Sequence, residues 1–489
     1  MADSIHDQIH KDRWRQRKTW MAVKKYRLFA DGEQEFLLTE GMKEILAGLW
    51  GENFVDNACH TVVAEAGNRL EFEGWKCPND GVAKKLNEFM TTSRLRDRSG
   101  SIHYDALRDG NFAAIVSWNE ESGRAEMQQE PWYDGSCGMF VCYDQNDRPK
   151  YAVKDWMGDD DLSRRTIYWP DRIERWKGGA NTTGAEWVHD ILEEDEGQWP
   201  VPWKKKDGSP IGLPVVHFGN AGRDKKNYGT SELINVLGLQ NQLTGLQWDM
   251  SAAARMGAFQ IYTATGVDEE TKMSVGAGKL WRSKNKEASF GHIPAGDPAG
   301  LLSIYNTKLQ RFAQITSTPH YMITGGDWPS GEALLRAEQP AVGKATRQIN
   351  RMKDSYTRMG RMVIVLNNVF GGESLPEDAE NALVSSLFAP PDRRDMLTRS
   401  IIVMNLKDLL SPEMALRMIG MSDEDIEKNK KEKDAALDEA MDRQETMMAR
   451  GLGIGTGMPG KGPGLPGASG GAGPAKPGTP QPKPGGGNK

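Results

Sequence analysis

The stretch Tyr228-Gly229-Thr230-Ser231-Glu232-Leu233, with the apolar ladder that follows it, decides how this chain is organised. Thr230 or Ser231 is suited to cap a helix, because a hydroxyl oxygen accepts from the exposed amides of a first turn. Glu232 falls in that turn, where the helix dipole favours negative charge. Beyond it Val236, Leu239, Leu243, Leu246, Met250, Ala253 and Gly257 recur at alternating steps of three and four. Such spacing draws a narrow stripe along one side of a helix that lies lengthwise on a neighbour. Ala252, Ala254 and Ala258 crowd the second half and let another backbone come close. A helix is predicted over 231–257, built for contact and not for catalysis.

Downstream, short apolar segments at 259–262, 279–281 and 289–293 predict strands on either side of a loop at 266–278. Asp297-Pro298 is a helix start, with proline at the first helical position, and Leu302, Tyr305, Leu309 and Phe312 continue at helical spacing. That helix should stop before Thr318-Pro319. Gly325, Gly326, Asp327 and Pro329 punctuate a loop over 318–330. From Gly331 a longer pattern runs to Phe370, carrying Val342, Ala345, Ile349, Met352, Tyr356, Met359, Val363 and Leu366 on one stripe, with a bend expected at Pro340. Lys344, Arg347, Arg351, Arg358 and Arg361 fall on another stripe, and the reading favoured for them is a solvated or salt-bridged face over direct contact with DNA. Residues 393–448 read as charged helix with new starts at Pro412-Glu413 and Ser422-Asp423. The last 39 residues hold 15 Gly and 8 Pro without collagen's strict third-residue glycine, so no fixed fold is expected there.

Upstream, residues 1–30 read as a basic helix, and 31–130 as a mixture of helices, at 41–50 and 82–94 among others, with short apolar segments. Segments 138–143, 151–156 and 165–169 alternate apolar with polar residues between Gly, Asp and Asn clusters, which predicts a small antiparallel sheet. The acidic run 193–196 and the lysines 204–206 read as an exposed loop before a buried strand at 213–218. The chain is therefore α+β, with more than one structural region in its 489 residues.

Composition narrows the function. A formal net charge of −6 excludes a whole-surface clamp on nucleic acid, though not a conduit through which a duplex slides. No run of 18 apolar residues offers a membrane span, and the basic N-terminus lacks the apolar core of a secretory signal, so synthesis in cytoplasm is expected. Cys59, Cys77, Cys137 and Cys142 do not resemble a disulfide framework, and Cys137 with Cys142 lacks the second pair a zinc site needs. No metal or cofactor is expected. A motor ATPase would show G-x-x-x-x-G-K-[ST], and the nearest string, Gly276-Ala277-Gly278-Lys279-Leu280, has neither the spacing nor the hydroxyl. Asp159, Asp160 and Asp161 could attract magnesium for nuclease chemistry, but a hairpin turn explains them better. His320 has no nucleophile tied to it by a motif.

The order of parts, with Tyr228-Gly229-Thr230-Ser231-Glu232-Leu233, then Thr318-Pro319-His320-Tyr321-Met322, then Ser330-Gly331-Glu332-Ala333-Leu334, resembles the portal (connector) family of tailed bacteriophages, its siphophage-type branch above all. The resemblance covers roughly 30–445. It implies a wing over 31–230 behind the N-terminal segment 1–30, stem helices at 231–257 and 297–317, and a clip at 258–296. A tunnel loop at 318–330, a long wing helix at 331–370, a crown at 371–450 and the tail 451–489 complete the portal fold it implies. It further implies a non-enzymatic ring, usually of twelve subunits, at one capsid vertex, the channel for packaging and ejection of double-stranded DNA. Implied partners are terminase, a head–tail adaptor, and the major capsid and scaffold proteins. Site residues follow by position: Gly325, Gly326, Asp327 and Trp328 for the tunnel loop, Lys279, Arg282, Lys284 and Lys286 for the clip surface, and Val236, Leu239, Leu243, Leu246, Met250 and Ala253 for the subunit interface. Geometry agrees with such a ring. A bore for a duplex about 20 Å wide, walled by helices about 10 Å thick, puts helix axes on a circle of about 100 Å circumference, which holds roughly ten to twelve helices at 8 to 10 Å spacing. The alternatives are a minor capsid structural protein and a metal-dependent phage nuclease.

Overall fold

The computed structural model describes residues 5–35, 56–178, 187–192, 197–220, 228–258, 261–267, 282–293, 298–324, 331–371, 375, 383–392, 403–404, 411–419, 421, 426–435 and 441. The chain divides into two compact units, Met1–Arg393 and Arg394–Lys489.

The first unit opens with helix α1 (Ile5–Asp31). Then come α2 (Ala58–Gly67), β1 (Phe72–Lys76), α3 (Asp80–Thr92) and α4 (Leu95–Asp109). Asparagine side chains cap two of these, Asn57 accepting from the amide of His60 at 3.0 Å and Asn79 from that of Val82 at 3.2 Å. Strands β2 (Asn111–Asn119) and β3 (Arg124–Glu130) form a hairpin. Next come β4 (Gly138–Tyr143), β5 (Pro149–Met157), β6 (Ser163–Tyr168), β7 (Arg172–Gly178), β8 (Val188–His189) and β9 (Val201–Pro202). They make one antiparallel sheet in the order β4-β5-β6-β7-β8, with β9 also on β7. Strand β10 (Val215–Gly219) returns to the free edge of β2, giving a second sheet in the order β10-β2-β3.

The helical part follows: α5 (Leu237–Ala258), the ribbon β11 (Ile261–Thr265) with β12 (Ser289–Ile293), then α6 (Pro298–Thr316) and α7 (His320–Thr324). Helix α8 spans Gly331–Phe370, passing through Pro340, and β13 (Ser385–Phe388) pairs with β1. The 40-residue helix covers the span its three-and-four periodicity gives, and Ile349, Met352, Tyr356, Met359, Val363 and Leu366 are buried, as that stripe requires.

Tyr356 is the centre of this core. Its ring stacks on Phe72 at 3.9 Å between centroids, and its carbonyl accepts from the Trp75 indole at 2.9 Å. Its hydroxyl lies 3.0 Å from His103 Nε2, while His103 Nδ1 lies 2.7 Å from the Leu70 carbonyl. That network assigns a neutral imidazole that donates from Nδ1 and accepts at Nε2. Burial lowers the pKa of His103 to about 4, against the opposing pull of the Leu70 hydrogen bond. A second buried imidazole, His217 on β10, lies 2.7 Å from the Tyr143 hydroxyl and 3.0 Å from Asn111 Oδ1, so it joins the two larger sheets. Burial first, then the charges of Arg351 and Arg358, lower its pKa to about 3.

The other anchor ties α1 to the six-stranded sheet. Arg165, fully buried on β6, places Nη2 at 2.7 Å from Asp12 of α1 and Nη1 at 3.4 Å from Asp155 of β5. Tyr151 donates its hydroxyl to the other oxygen of Asp12 at 2.7 Å.

Several sequence expectations change. The helix predicted from 231 begins at Leu237, and 232–236 form turns closed by Ile234 N to Ser231 O and Val236 N to Leu233 O. Tertiary contacts claim Ser231 and Glu232, as described below, and these outweigh their local preference for a helix start. The strand predicted from 259 starts at Ile261. The predicted helix at 41–50, the acidic run 193–196, the strand at 279–281 and the tail 451–489 lie outside the described residues. Asp159, Asp160 and Asp161 do sit in the turn joining β5 to β6, where both oxygens of Asp160 take the Arg164 guanidinium, at 2.7 and 3.0 Å.

In the second unit the described parts include α9 (Pro412–Ile419) and a helical segment at 426–435, with Lys430 paired to Glu413 at 3.0 Å. Among the described residues no helix is long and apolar enough to cross a membrane.

Candidate functional site

The segment that leads into α5 is threaded where only glycine fits. A Cβ on Gly229 would lie 2.0 Å from the carbonyl oxygen of Gly110 and 2.4 Å from the amide nitrogen of Asn220. The Gly229 amide donates to Asn111 Oδ1 at 2.7 Å, the Ser231 hydroxyl donates to the Arg108 carbonyl, and the Glu232 amide to that of Leu107. The segment is therefore held on the C-terminal turn of α4.

This places the Glu232 carboxylate at a junction. One oxygen accepts from Asn220 Nδ2 at 2.9 Å and from Gln348 Nε2 of α8 at 2.6 Å. The other lies 3.2 Å from Lys344 Nζ, which also donates to the Thr316 carbonyl at 2.7 Å, at the end of α6. The entry to α5, the strand end at Asn220, α8 and the exit of α6 thus meet at one side chain. Charge-assisted hydrogen bonds such as these are the stronger kind. Of the basic stripe read as solvated or salt-bridged, Lys344 is half-buried and salt-bridged to Glu232 at this junction, while Arg347, Arg358 and Arg361 are exposed.

The chain after α6 is pinned as well. The Thr316 and Thr318 hydroxyls are 3.0 Å apart, and Tyr321 of α7 donates to Glu338 of α8 at 2.6 Å. Burial, then the Glu338 charge, pushes the Tyr321 hydroxyl far up. Buried Arg69, just past the end of α2, pairs with Glu65 of that helix at 2.6 Å and lies 3.7 Å from Glu338. The approach to 325–330 from α6 and α7 is thereby fixed to α8, while Gly325, Gly326, Asp327 and Trp328 themselves lie outside the described residues.

Helices α5 and α6 pack on each other, and Lys308 of α6 donates to Gln242 of α5 at 2.8 Å. The predicted interface stripe divides along its length. Val236 and Leu243 are fully buried and Leu239 packs on the same core, so the first half belongs to the chain's own interior. Leu246, Met250 and Ala253 are half-buried. On α6, Leu309, Phe312 and Ala313 face inward, whereas Ile304 and Ile315 are 49% and 40% exposed. Eleven residues apart, those two share one side of a helix, directed away from the inward face. The ribbon at the far end of the pair exposes Tyr262 and Phe290. Arg282, Lys284 and Lys286 are exposed on the turn leading into β12, and Lys279 lies outside the described residues.

His320 is exposed on α7. Cys142 is buried near Asp12 while Cys137 is exposed, and among the described residues no group of three His, Cys, Asp or Glu side chains could hold a metal ion. Sequence reasoning missed the junction at Glu232. Its signal was an acid, Glu232, three residues after a glycine, Gly229, a pattern a helix start also satisfies.

Comparison with known proteins adds the following. A family model described as phage portal protein, SPP1 Gp6-like, matches residues 71–439. Among solved structures, a chain from the virion of a native gene transfer agent particle aligns over 81% of this chain and 99% of its own, with 12% identity and a TM-score of 0.43. The curated proteins give no sequence match.

Proposed function

The chain belongs to the phage portal protein family, and from that premise we propose that it forms the ring at one capsid vertex through which double-stranded DNA is packaged and ejected. The family match over most of the chain carries this reading. In it α5 and α6 are the stem, the ribbon β11/β12 with its exposed cations is the clip, α8 is the long wing helix, and 318–330 is the tunnel loop. The wing comprises 31–230 and the crown 371–450. The outward apolar side chains Ile304 and Ile315 then meet the half-buried Leu246, Met250 and Ala253 of a neighbour, where burial removes apolar surface from water. Rings of about a dozen subunits fit the helix spacing given above. Clip cations Arg282, Lys284 and Lys286 suit acidic surfaces on terminase and then on the head–tail adaptor, and the rim of the ring meets major capsid and scaffold proteins. The subunit works by shape and contact, without catalysis or cofactor. A nuclease built on Asp159–Asp161 is disfavoured, because Asp160 is occupied by Arg164 in a hairpin turn.

Negative-stain imaging with mass photometry tests this. Wild-type protein gives closed rings with a duplex-sized hole, and Ile315→Glu, on an exposed position, yields subunits in their place. Shortening 325–328 leaves rings intact but cuts DNA packaging. A wild-type protein that stays monomeric across salt and concentration would sink the ring, and full packaging by the shortened loop would sink the loop's role.

A further inference from the structure

A cavity lies between α1 and the six-stranded sheet. It measures about 520 Å³ and is walled by Trp14, Trp20, Tyr133, Trp156 and Trp187, with Asp155 among its lining groups. Its size falls within the range of about 300–1,000 Å³ usual for ligand sites. The wall is built, not accidental: Trp20 sits so tightly on Gly135 that a Cβ there would come within 2.4 Å of the indole. Trp14, by contrast, is 78% exposed, a large apolar surface left in water.

Three features select the ligand. Asp155 is 7% exposed, yet its Oδ1 has no hydrogen-bond partner while Oδ2 faces Arg165, so the cavity contains a buried acceptor for one N–H. A cation inside the cavity is disfavoured, since the Lys154 ammonium already lies 5.2 Å from the Trp156 ring centre and Arg13 and Arg164 line the same space. An anion would meet Asp155. What remains is a ligand whose inserted side is uncharged and apolar and which brings a peptide N–H. Proline-rich segments have this character: they dock on aromatic grooves, and at three residues per turn every third side chain returns to one side.

This chain holds such a segment. Pro474, Pro477 and Pro480 are spaced by three, and Ala475, Lys476, Gly478 and Thr479 between them keep their N–H groups. The stretch from 451 to 473 can extend to at most about 80 Å. We propose that the aromatic cavity binds a Pro-x-x-Pro-x-x-Pro peptide, and that its occupant is segment 474–480 of a second copy of the chain. The second copy rests on the ring reading; the peptide preference does not.

The receiver for the test is full-length protein carrying Pro474→Ala, Pro477→Ala and Pro480→Ala, so that it brings no competing segment. A fluorescein-labelled peptide of residues 470–486 binds it saturably by anisotropy, and Trp14→Ala in the same background weakens binding about tenfold, equivalent to about 1.4 kcal/mol. The same peptide with three alanines does not bind. Absence of saturable binding, or binding unchanged by both Trp14→Ala and Trp156→Ala, overturns the site. For the occupant, the triple variant is isotope-labelled and mixed with unlabelled wild type, and oxidation of its Met157, 54% exposed on the cavity lining, is followed by mass spectrometry. Slower oxidation in the mixture supports a second copy, and an unchanged rate overturns it. Peptide binding is readable whether or not rings form, so failure here is distinct from failure of the ring.

Discussion

Replacing Arg165 by Met lowers the free energy of unfolding by about 3–5 kcal/mol, the usual result of removing one partner from a buried ion pair. The guanidinium is fully buried and lies between Asp12, 2.7 Å away on α1, and Asp155, 3.4 Å away on β5. Without it two buried carboxylates, Asp12 and Asp155, are left without their shared cation. Asp155 already resists ionisation there, because burial raises its pKa more than Arg165 and Arg13 lower it. The effect should be local as well as global, since Asp12 is the link between α1 and the sheet. Limited proteolysis therefore cuts within α1 first, before the sheet is lost. Adding Asp12→Leu to Arg165→Met recovers part of the loss, since an apolar pair of similar bulk carries no desolvation cost. A single variant with an unchanged denaturation midpoint would show that the ion pair contributes nothing to stability.

Acidification produces the second large effect. His103 and His217 are buried and neutral, with folded pKa values lowered from 6.5 to about 4 and about 3. Between those values and 6.5 the unfolded chain binds protons that the folded chain refuses, so stability rises with pH across that window. Their contribution is therefore complete above pH 6.5 and is lost as pH falls through about 4 and then about 3. At roughly 1.4 kcal/mol per pKa unit, the two together are worth several kcal/mol. The measurement is the urea midpoint as a function of pH for wild type and for His217→Gln. The variant is less stable at neutral pH but has a shallower slope below 6.5. Parallel slopes would mean that His217 takes up its proton equally in both states.

Most of the helical frame was legible in the chain. α8 follows its periodic stripe from end to end, and α6 begins at Pro298 and stops ahead of Thr318-Pro319, because proline and turn residues act locally and no tertiary contact overrides them. α5 was misread at its start for the opposite reason. Ser231 and Glu232 look like a cap and a first-turn acid, but their side chains bond to Arg108, Asn220, Lys344 and Gln348, and most of those partners lie more than a hundred residues away in sequence. The Asp12–Arg165 pair, 153 residues apart, was equally invisible, because a lone acid on a basic helix and an arginine on a strand each have a solvent-facing explanation. The interface stripe shows a third limit. Periodicity marks the side of a helix that packs, and both the chain's own core and a neighbouring subunit satisfy it, so Val236 and Met250 look alike until burial separates them.

The junction at Glu232 has a consequence for how this protein can vary over generations. Asn220, Glu232, Thr316, Lys344 and Gln348 come from four separate stretches of sequence, yet one carboxylate and one ammonium satisfy them all. Losing the acid alone strands a half-buried cation, and losing the cation alone strands the acid. Positions 232 and 344 are therefore expected to vary as a pair, so that related chains either keep both or exchange both together for an uncharged couple.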